Sequence, residues 1–589
     1  MALNKVVNKL AKSRSDITKT FKLYEDGKNY NIKLNLYNIN DINEKFYAGE
    51  QWDGLNAPGM PTPVFNIYKR VIDYFTSSIL QQPITIEYIA ELIGDDPQDE
   101  KEAQQQEVMQ FATAYAKRLW ERLKMDSNNR QLLLDAANTG DMAGYCWWDE
   151  TIDTGQDAEG DIEFERLDGV TVYFGNPNES RTSRQPYIIV AFREMVEALR
   201  QEAKASGQPE DVVRKIVSDE ETEYTAGSRG KIEIDNEKNN SGKTTALLKL
   251  YKKREKVDGK TVTKVYAEKV TQYAEVRKEW DTKLTEYPIP FNNWTKRKNS
   301  YHGQALGTEI RPNQIYINQQ FALVMIAMRE MGFPKVIYDK TKISAWSNKV
   351  GGAFGVNGST LDVARYMTPS QINQQMLSTI DLAISYTKEF LGANDAALGD
   401  VNPNNATALA IVTKQAAVPL ENIRANLYQF IEDTAKIWLD FMANYYGKRK
   451  ISVEIMGKKV VKEIDFSLLK DIKTNVKINV GTSTLWSENA SDETLDNLLR
   501  EGYIQYAQWL QHISSAKVPN KQQMIEENQA NDAREQFRQE MMIQFFQSLP
   551  PEMQQEIQGL SEEEAELRIM EMAKELPQEE PQDIEENII

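Results

Sequence analysis

The chain has 589 residues, 41% hydrophobic and 27% charged, which is the make-up of a folded protein and too long for one hydrophobic core. A formal net charge of −18 argues against tight binding of nucleic acid, since that affinity comes mainly from Lys and Arg neutralising phosphates; DNA sliding past remains compatible with it. One cysteine, Cys146, and two histidines, His302 and His512, exclude an intrachain disulfide framework and argue against a zinc site or a histidine-based triad.

Residues 1–60 read as an adaptable leader. "MALNKVVNKLAKSRSDITKT" lacks the apolar run of a signal peptide, and "LYNINDINEKFYAGEQWDG" supplies aromatic anchors before the break "NAPGMPTP". "VFNIYKRVIDYFTSSILQQP" (64–83) places Val64, Ile67, Val71, Ile72, Phe75 and Ile79 at helical spacing and predicts a core-facing helix ending before Pro83. "ITIEYIA" reads as a short strand, residues 95–106 as a solvated loop, and about Glu107–Met125 as a helix. "NRQLLLDAANTGDMAGYCWWDET" (129–151) predicts a helix stopped near Gly140 that turns into an aromatic strand. Further strands are expected over 162–193 and 246–270, around a helical insert at about 194–217.

"NNSGKTTALL" (239–248) carries the Gly-Lys-Thr of a phosphate-cradling loop, but Glu237 stands where the first glycine belongs. The residues beyond it are β-branched and aromatic, with Val257-Asp258-Gly259-Lys260 as a turn, so a β-hairpin is expected instead of the helix such a loop opens.

"IRPNQIYINQQFALVMIAMREMGFP" (310–334) predicts a helix of about 20 residues, roughly 30 Å long, bounded by Pro312 and Pro334. Its apolar residues run nearly all the way round, so it is either a central core helix or one wedged between copies of the chain. "FALVMIAM" (321–328) is the densest apolar run and too short to span a bilayer, so a soluble, cytosolic chain is expected. A second helix follows at 370–392, with Ile372, Met376, Ile380, Ile384 and Leu391 on one face and Gly392 as its stop. Between the two helices, strands and glycine turns carry Lys335, Lys340, Lys342, Trp346 and Lys349. "ANDAALGDVNPNNA" (393–406) is a polar loop, and a helix from about Thr407 to Tyr446 should kink near Pro419. Strands "KKVVKEIDF" and "NVKINVG", helices at about 491–515 and 520–547, and an acidic, proline-broken tail complete the chain. The pairing Trp147-Trp148, Trp438 and His302 read as packing and turn residues rather than as a base-stacking platform or a ligand, and Glu562 to Glu564 as part of a solvated tail.

Several stretches together resemble the portal proteins of tailed bacteriophages. In the N-terminal half these are the Tyr-x-Gly of "FYAGEQWDG", the Asn-bearing helix in "PTPVFNIYKRVIDYFTSSILQQPITIEY" and the helix-Gly-strand of "LLLDAANTGDMAGYCWWDE". Later, "SYHGQALGTEIRPNQIYINQQFALVMIAMREMGFPKVIY" looks like the family's Gly-bearing turn, Pro-x-Gln…Asn stem helix and Phe-Pro exit. The resemblance covers about residues 45–530, and the tail beyond 530 matches none of these family elements.

The resemblance implies a helix-rich α+β fold with wing, stem, clip and crown, assembled as a dodecameric ring around a DNA channel at one capsid vertex. By this mapping 1–60 begin the wing, 61–309 form it, 310–333 are the first stem helix, 334–369 the clip and 370–392 the second stem helix. Residues 393–405 become the tunnel loop, with Asn394, Asp395, Asp400, Asn402, Asn404 and Asn405 facing DNA. The long kinked helix and wing strands take 406–484, crown helices 485–547, and the acidic tail 548–589. The clip residues Lys335, Lys340, Lys342, Trp346 and Lys349 would meet the packaging motor or an adaptor. Implied partners are further copies of the chain, double-stranded DNA, the terminase large subunit, major capsid and scaffolding proteins, and head-completion or tail proteins; no membrane and no cofactor is implied, and no enzymatic activity. Assembly would take place in the host cytoplasm and the product would sit in the virion. Two alternatives stand beside this reading: a nucleotide hydrolase built on Gly242-Lys243-Thr244, and a helical scaffold or adaptor.

Overall fold

Residues Ala2–Lys33 form one 32-residue helix, α1, where the sequence suggests an adaptable leader. The reason is packing: Ile17, Phe21 and Tyr24 recur at helical spacing and meet a sheet-borne cluster that includes Tyr173, Ile189 and Leu247. The Tyr24 ring sits edge-on against Tyr173 with centroids 5.2 Å apart. Helix α2 (Leu36–Ala48) follows Asn35 and is stopped by Gly49 at φ 91.

The structure, a computed structural model, describes residues 2–54, 58–80, 84–90, 100–156, 159–219, 242–257, 260–333, 335–347, 349, 353, 355–367, 374–390, 420–455, 458–471 and 474–480, with 495, 497–501, 506 and 509 further on. The chain divides into two units, Met1–Gly481 and Thr482–Ile589. In the second, the described residues include a helical turn in which Glu501 N donates to Asn497 O at 2.9 Å.

Helix α3 (Ile67–Ile79) is capped by Asn66, whose side chain accepts from Lys69 N at 3.0 Å. Its expected face is buried at Val71, Ile72, Phe75 and Ile79, whereas Val64 precedes the helix and is exposed. Strand β1 (Ile84–Ala90) is present, and α4 (Glu100–Arg122) starts inside the stretch expected to be a loop. Its opening residues, Glu, Lys, Ala and Gln, are strong helix formers, which outweighed their polarity. Helix α5 (Met125–Thr139) ends at Gly140, φ 99, and turns into β2 (Asp141–Asp149).

Among the described residues, all strand pairing is antiparallel. Strand β2 lies between β3 (Asp161–Leu167) and β9 (Phe291–Asn293). A five-stranded sheet runs β4 (Val172–Phe174), β5 (Tyr187–Met195), β6 (Lys243–Val257), β7 (Lys260–Val270), β8 (Glu275–Asp281). The insert between β5 and β6 holds α6 (Val196–Ala205) and α7 (Glu210–Val213). The β6–β7 hairpin pairs Val257 with Lys260, as the expected turn requires.

This hairpin overturns the nucleotide-loop alternative. Lys243 begins a strand and pairs with Met195, and Asp219 accepts from Thr245 N at 2.8 Å and from Thr244 Oγ1 at 3.3 Å. A carboxylate thus holds the Thr244 hydroxyl and the Thr245 N–H, and strand β6 stands where such a loop opens a helix.

Helix α8 (Leu306–Gly332) begins before Pro312, which lies inside it rather than at its boundary. Beyond it come β10 (Val336–Tyr338), paired with β11 (Ala364–Tyr366), and α9 (Gln374–Phe390). Helix α10 (Glu421–Phe441) continues through a wider turn at Met442–Tyr446 into the β12 (Lys448–Ile455)–β13 (Lys458–Asp465) hairpin. Strand β14 (Thr474–Val480) returns to pair with β1, Val480 opposite Ile84. Pro419, the 393–405 loop and the acidic tail lie outside the described residues.

One large core joins α3, α4, α5, β2 and α10, with Trp438, Phe430 and Tyr446 fully enclosed. Two backbones cross within it at Gly140 and Gly303: a Cβ on Gly303 would stand 2.4 Å from Gly140 O and 2.6 Å from the Asn293 Cβ. Gly303→Ala is therefore expected to cost about 1–3 kcal/mol, read as a lowered denaturation midpoint at unchanged denaturant dependence. Gly332→Ala, where nothing lies within 4 Å, should leave the midpoint unmoved or raise it.

Candidate functional site

The root of α8 is held by a buried set of side-chain amides. Gln314 donates to Phe65 O at 2.8 Å and to Asn318 Oδ1 at 2.9 Å, and accepts from Tyr68 N at 3.0 Å. Asn318 in turn donates to Gln51 Oε1 at 2.6 Å, and Gln51 donates to Asn66 Oδ1 and Phe46 O, both at 3.1 Å. Asn66 donates to Tyr47 O at 3.2 Å. One turn earlier, Arg311 donates to Asn43 Oδ1 at 3.0 Å, and Asn43 donates to Thr308 Oγ1 at 3.0 Å and Asn138 O at 2.8 Å. These bonds explain why the helix extends back past Pro312: tertiary partners fix the turn that the proline cannot close alone.

Close packing completes the root. A Cβ at Gly307 would fall 1.8 Å from the Tyr68 hydroxyl, so only glycine fits under it. Burial pushes the Tyr68 and Tyr301 phenols up, keeping both as neutral donors, to Asn138 Oδ1 at 3.2 Å and Val172 O at 3.0 Å. The Phe65 ring stacks on Phe321 with centroids 4.0 Å apart.

A second buried node leads into α8. His302 is fully enclosed, with Nδ1 2.6 Å from Asp141 Oδ2 and Nε2 2.9 Å from Asn31 Oδ1. Asp141 Oδ1 accepts from Gly303 N and Asn293 Nδ2, both at 2.8 Å. His302 lies in the bend that the sequence suggests, yet its role is to tie α1, β2 and β9 together. All its ring nitrogens are occupied by protein groups, which leaves none for a substrate or metal.

Beyond the root, α8 changes character. Leu323, Met325, Met328 (60% exposed) and Met331 project into solvent, and Phe333 at its exit is 82% exposed. Helix α9 packs along α8, burying Ile380 while leaving Leu377, Leu382 and Tyr386 exposed. Single exposed apolar residues are ordinary, but two adjacent helices with several each make a surface that asks for a partner.

At the far end, β10 and β11 with the intervening chain form a small unit closed on Ile343 and Val363. Tyr338 stacks on Trp346 at 5.8 Å. Asp339 N donates to Val363 O at 2.9 Å and Ile343 N to Asp339 O at 3.0 Å. The Thr341 hydroxyl and backbone N–H hold the Asp339 carboxyl below its usual range. Lys335 lies 3.8 Å from Glu330, Lys342 reaches Leu361 O at 3.5 Å, and Lys340 and Lys349 are exposed. All five predicted residues lie in or beside this unit, with Trp346 half-buried against Tyr338.

Trp438 and Trp148 are packing residues, Trp438 fully buried and Trp148 stacked on Tyr445 at 5.0 Å. Asn394, Asp395, Asp400, Asn402, Asn404, Asn405 and Pro419 lie outside the described residues. Gly49, Asn66, Gln314 and Asn318 fall in the motifs of the family resemblance; Gln51, Asn43 and Asn138 lie in quoted stretches too, but sequence reasoning gave none of them a role. Among the described residues, no group of three His, Cys, Asp or Glu could hold a metal ion, and no helix is long and apolar enough to cross a membrane.

A family model described as phage P22-like portal protein matches residues 201–583. The match includes the tail beyond 530 that the sequence resemblance left without a counterpart, and it takes in α8, the β10–β11 unit and α9. No curated protein matches the chain.

Gln314→Leu should strip partners from Tyr68 N, Phe65 O and Asn318 at once, lowering stability by about 1–3 kcal/mol and speeding hydrogen exchange at the start of α8. Gln319→Leu, on the exposed side, should change stability by no more than about 0.5 kcal/mol.

Proposed function

The chain belongs to the phage P22-like portal protein family, and from that premise we propose that it closes into a ring-shaped channel, a dodecamer at one capsid vertex, through which double-stranded DNA is packaged and later ejected. The observation that carries the ring is the exposed apolar surface of α8 and α9. Leu323, Met325, Met328, Leu377 and Leu382 are 45–60% exposed, and a neighbouring copy of the same pair supplies a matching apolar surface.

In this reading α8 and α9 are the stem, the β10–β11 unit the clip, and the regions before and after them the wing and crown. The clip cations, exposed Lys335, Lys340 and Lys349 with half-buried Lys342, meet the terminase large subunit or, after packaging, a head-completion or tail adaptor; Trp346 stiffens the tip. Capsid and scaffolding proteins contact the ring during assembly in the host cytoplasm, and the finished ring is part of the virion. The loop at 393–405 faces the channel. Asp395, Asp400, Asn394, Asn402, Asn404 and Asn405 without Lys or Arg give a surface that DNA passes without long-lived phosphate contacts, as the net charge of −18 also favours. Pro419 kinks the helix that follows. The protein acts as a conduit and does no catalysis.

The ring is tested by solution mass and negative-stain images. Wild type should give rings of about twelve copies with a central hole, whereas Met328→Glu combined with Leu323→Glu should remain monomeric at an unchanged melting temperature, because both positions are solvent-facing in the single chain. Wild-type monomers or dimers would instead favour the helical scaffold. Deleting 394–404 should leave rings intact and reduce DNA packaged or retained; loss of the ring would remove the loop from the channel. Pro419→Ala should impair packaging more than folding, and a fully active variant would remove the kink from the mechanism.

A further inference from the structure

Between α4, the start of α5 and β1 lies a cavity of about 780 Å³ whose walls include Leu80, Ile84, Ile86, Ala114 and Trp120. At its inner side sits Asn129, only 1% exposed, and neither its Nδ2 nor its Oδ1 has a hydrogen-bond partner among the described residues. Buried amides are almost always paired, and every other amide discussed above is. A buried donor and acceptor fixed in one plane are satisfied together by a second amide group, which offers a carbonyl to Nδ2 and an N–H to Oδ1.

The wall beside Asn129 makes the same demand. Among the described residues, strand β1 has one strand neighbour, β14. Tyr88 N turns from β14 to donate to Thr113 Oγ1 at 3.0 Å. Backbone groups alternate sides along a strand, so Ile84 and Ile86 direct their N–H and C=O to the side that Tyr88 does, and both residues line the cavity. A strand edge that no described strand covers, next to apolar walls, is the setting in which an extended segment adds as a further strand. The rim carries both signs of charge, Lys117 and Arg130 with Glu87, Glu121 and Asp126, which complements an uncharged segment better than an acidic or basic one.

We propose that this cavity receives a short, extended, uncharged apolar segment of a partner protein, its main chain pairing with the Ile84–Ile86 edge and one of its peptide groups with Asn129. The site is separate from the α8–α9 surface and does not depend on how that surface is covered.

The test uses the full-length protein and the capped tripeptide N-acetyl-Leu-Val-Ala-amide, followed by saturation-transfer NMR. Wild type should pass saturation to the Leu and Val methyls. Asn129→Leu should weaken binding at least tenfold and melt no lower than wild type, because the asparagine has no internal partner to lose. Ala114→Phe, which fills the cavity without touching the amide, should also abolish transfer. No transfer from wild type, equal binding by Asn129→Leu, or a lowered melting temperature for Asn129→Leu would each overturn the proposal. Transfer from single chains that vanishes on assembly would also overturn it, by assigning the cavity to a neighbouring copy.

Discussion

Everything distal in this molecule depends on the amide clamp at the root of α8. Gln314 and Asn318 lie one helical turn apart on the same face, and through Gln51 and Asn66 they join the helix to the end of α2 and the cap of α3. A purely apolar contact would have allowed α8 to slide or rotate by a residue at small cost. A chain of buried amides does not, since any slip leaves donors and acceptors unpaired in a low-dielectric interior. The direction of the helix is thereby set where it leaves the folded body.

That fixed direction gives meaning to the apolar outer half. Met325, Met328, Met331 and Phe333 extend past the last clamp residue and are 42–82% exposed. In a family whose members are portals, the economical account is that copies of α8 and α9 cover one another. The same logic explains the glycines: Gly307 lies under Tyr68, and Gly303 and Gly140 cross backbone to backbone, so the approach to the helix is fixed by contact as well as by hydrogen bonds. The histidine between them, paired with Asp141 and Asn31, belongs to the same scaffold rather than to any chemistry.

Much of this was legible in the sequence, for identifiable reasons. Periodicity found α3 and α5, Gly140 marked a stop, and the β-branched run after Thr244 gave the hairpin that removed the nucleotide-loop alternative. The stretches that resembled portal proteins contain Gln51, Asn66, Gln314 and Asn318, and the structure brings these together in one clamp although they are far apart in sequence. What was missed has physical causes. The helical leader is stabilised by a sheet that local pattern does not show, and α4 begins early because helix propensity outran a polar composition. Pro312 misplaced the start of α8 because the bonds from Asn43 and Arg311 that hold the preceding turn are long-range. Gln51 and Asn129 lie in quoted stretches but carry no local sign of their role, because an amide's role is decided by what faces it in three dimensions.

The central claim is that α8 is fixed at its root and incomplete along its outer half until copies of the chain meet. Hydrogen–deuterium exchange of single chains and of assembled protein, compared peptide by peptide over 306–332, tests it directly. The account predicts slow exchange from Leu306 to Asn318 in both forms, and strong protection from Leu323 to Met331 only in the assembly. Equal protection of the outer half in single chains, or a root that exchanges as fast as the tip, would contradict it.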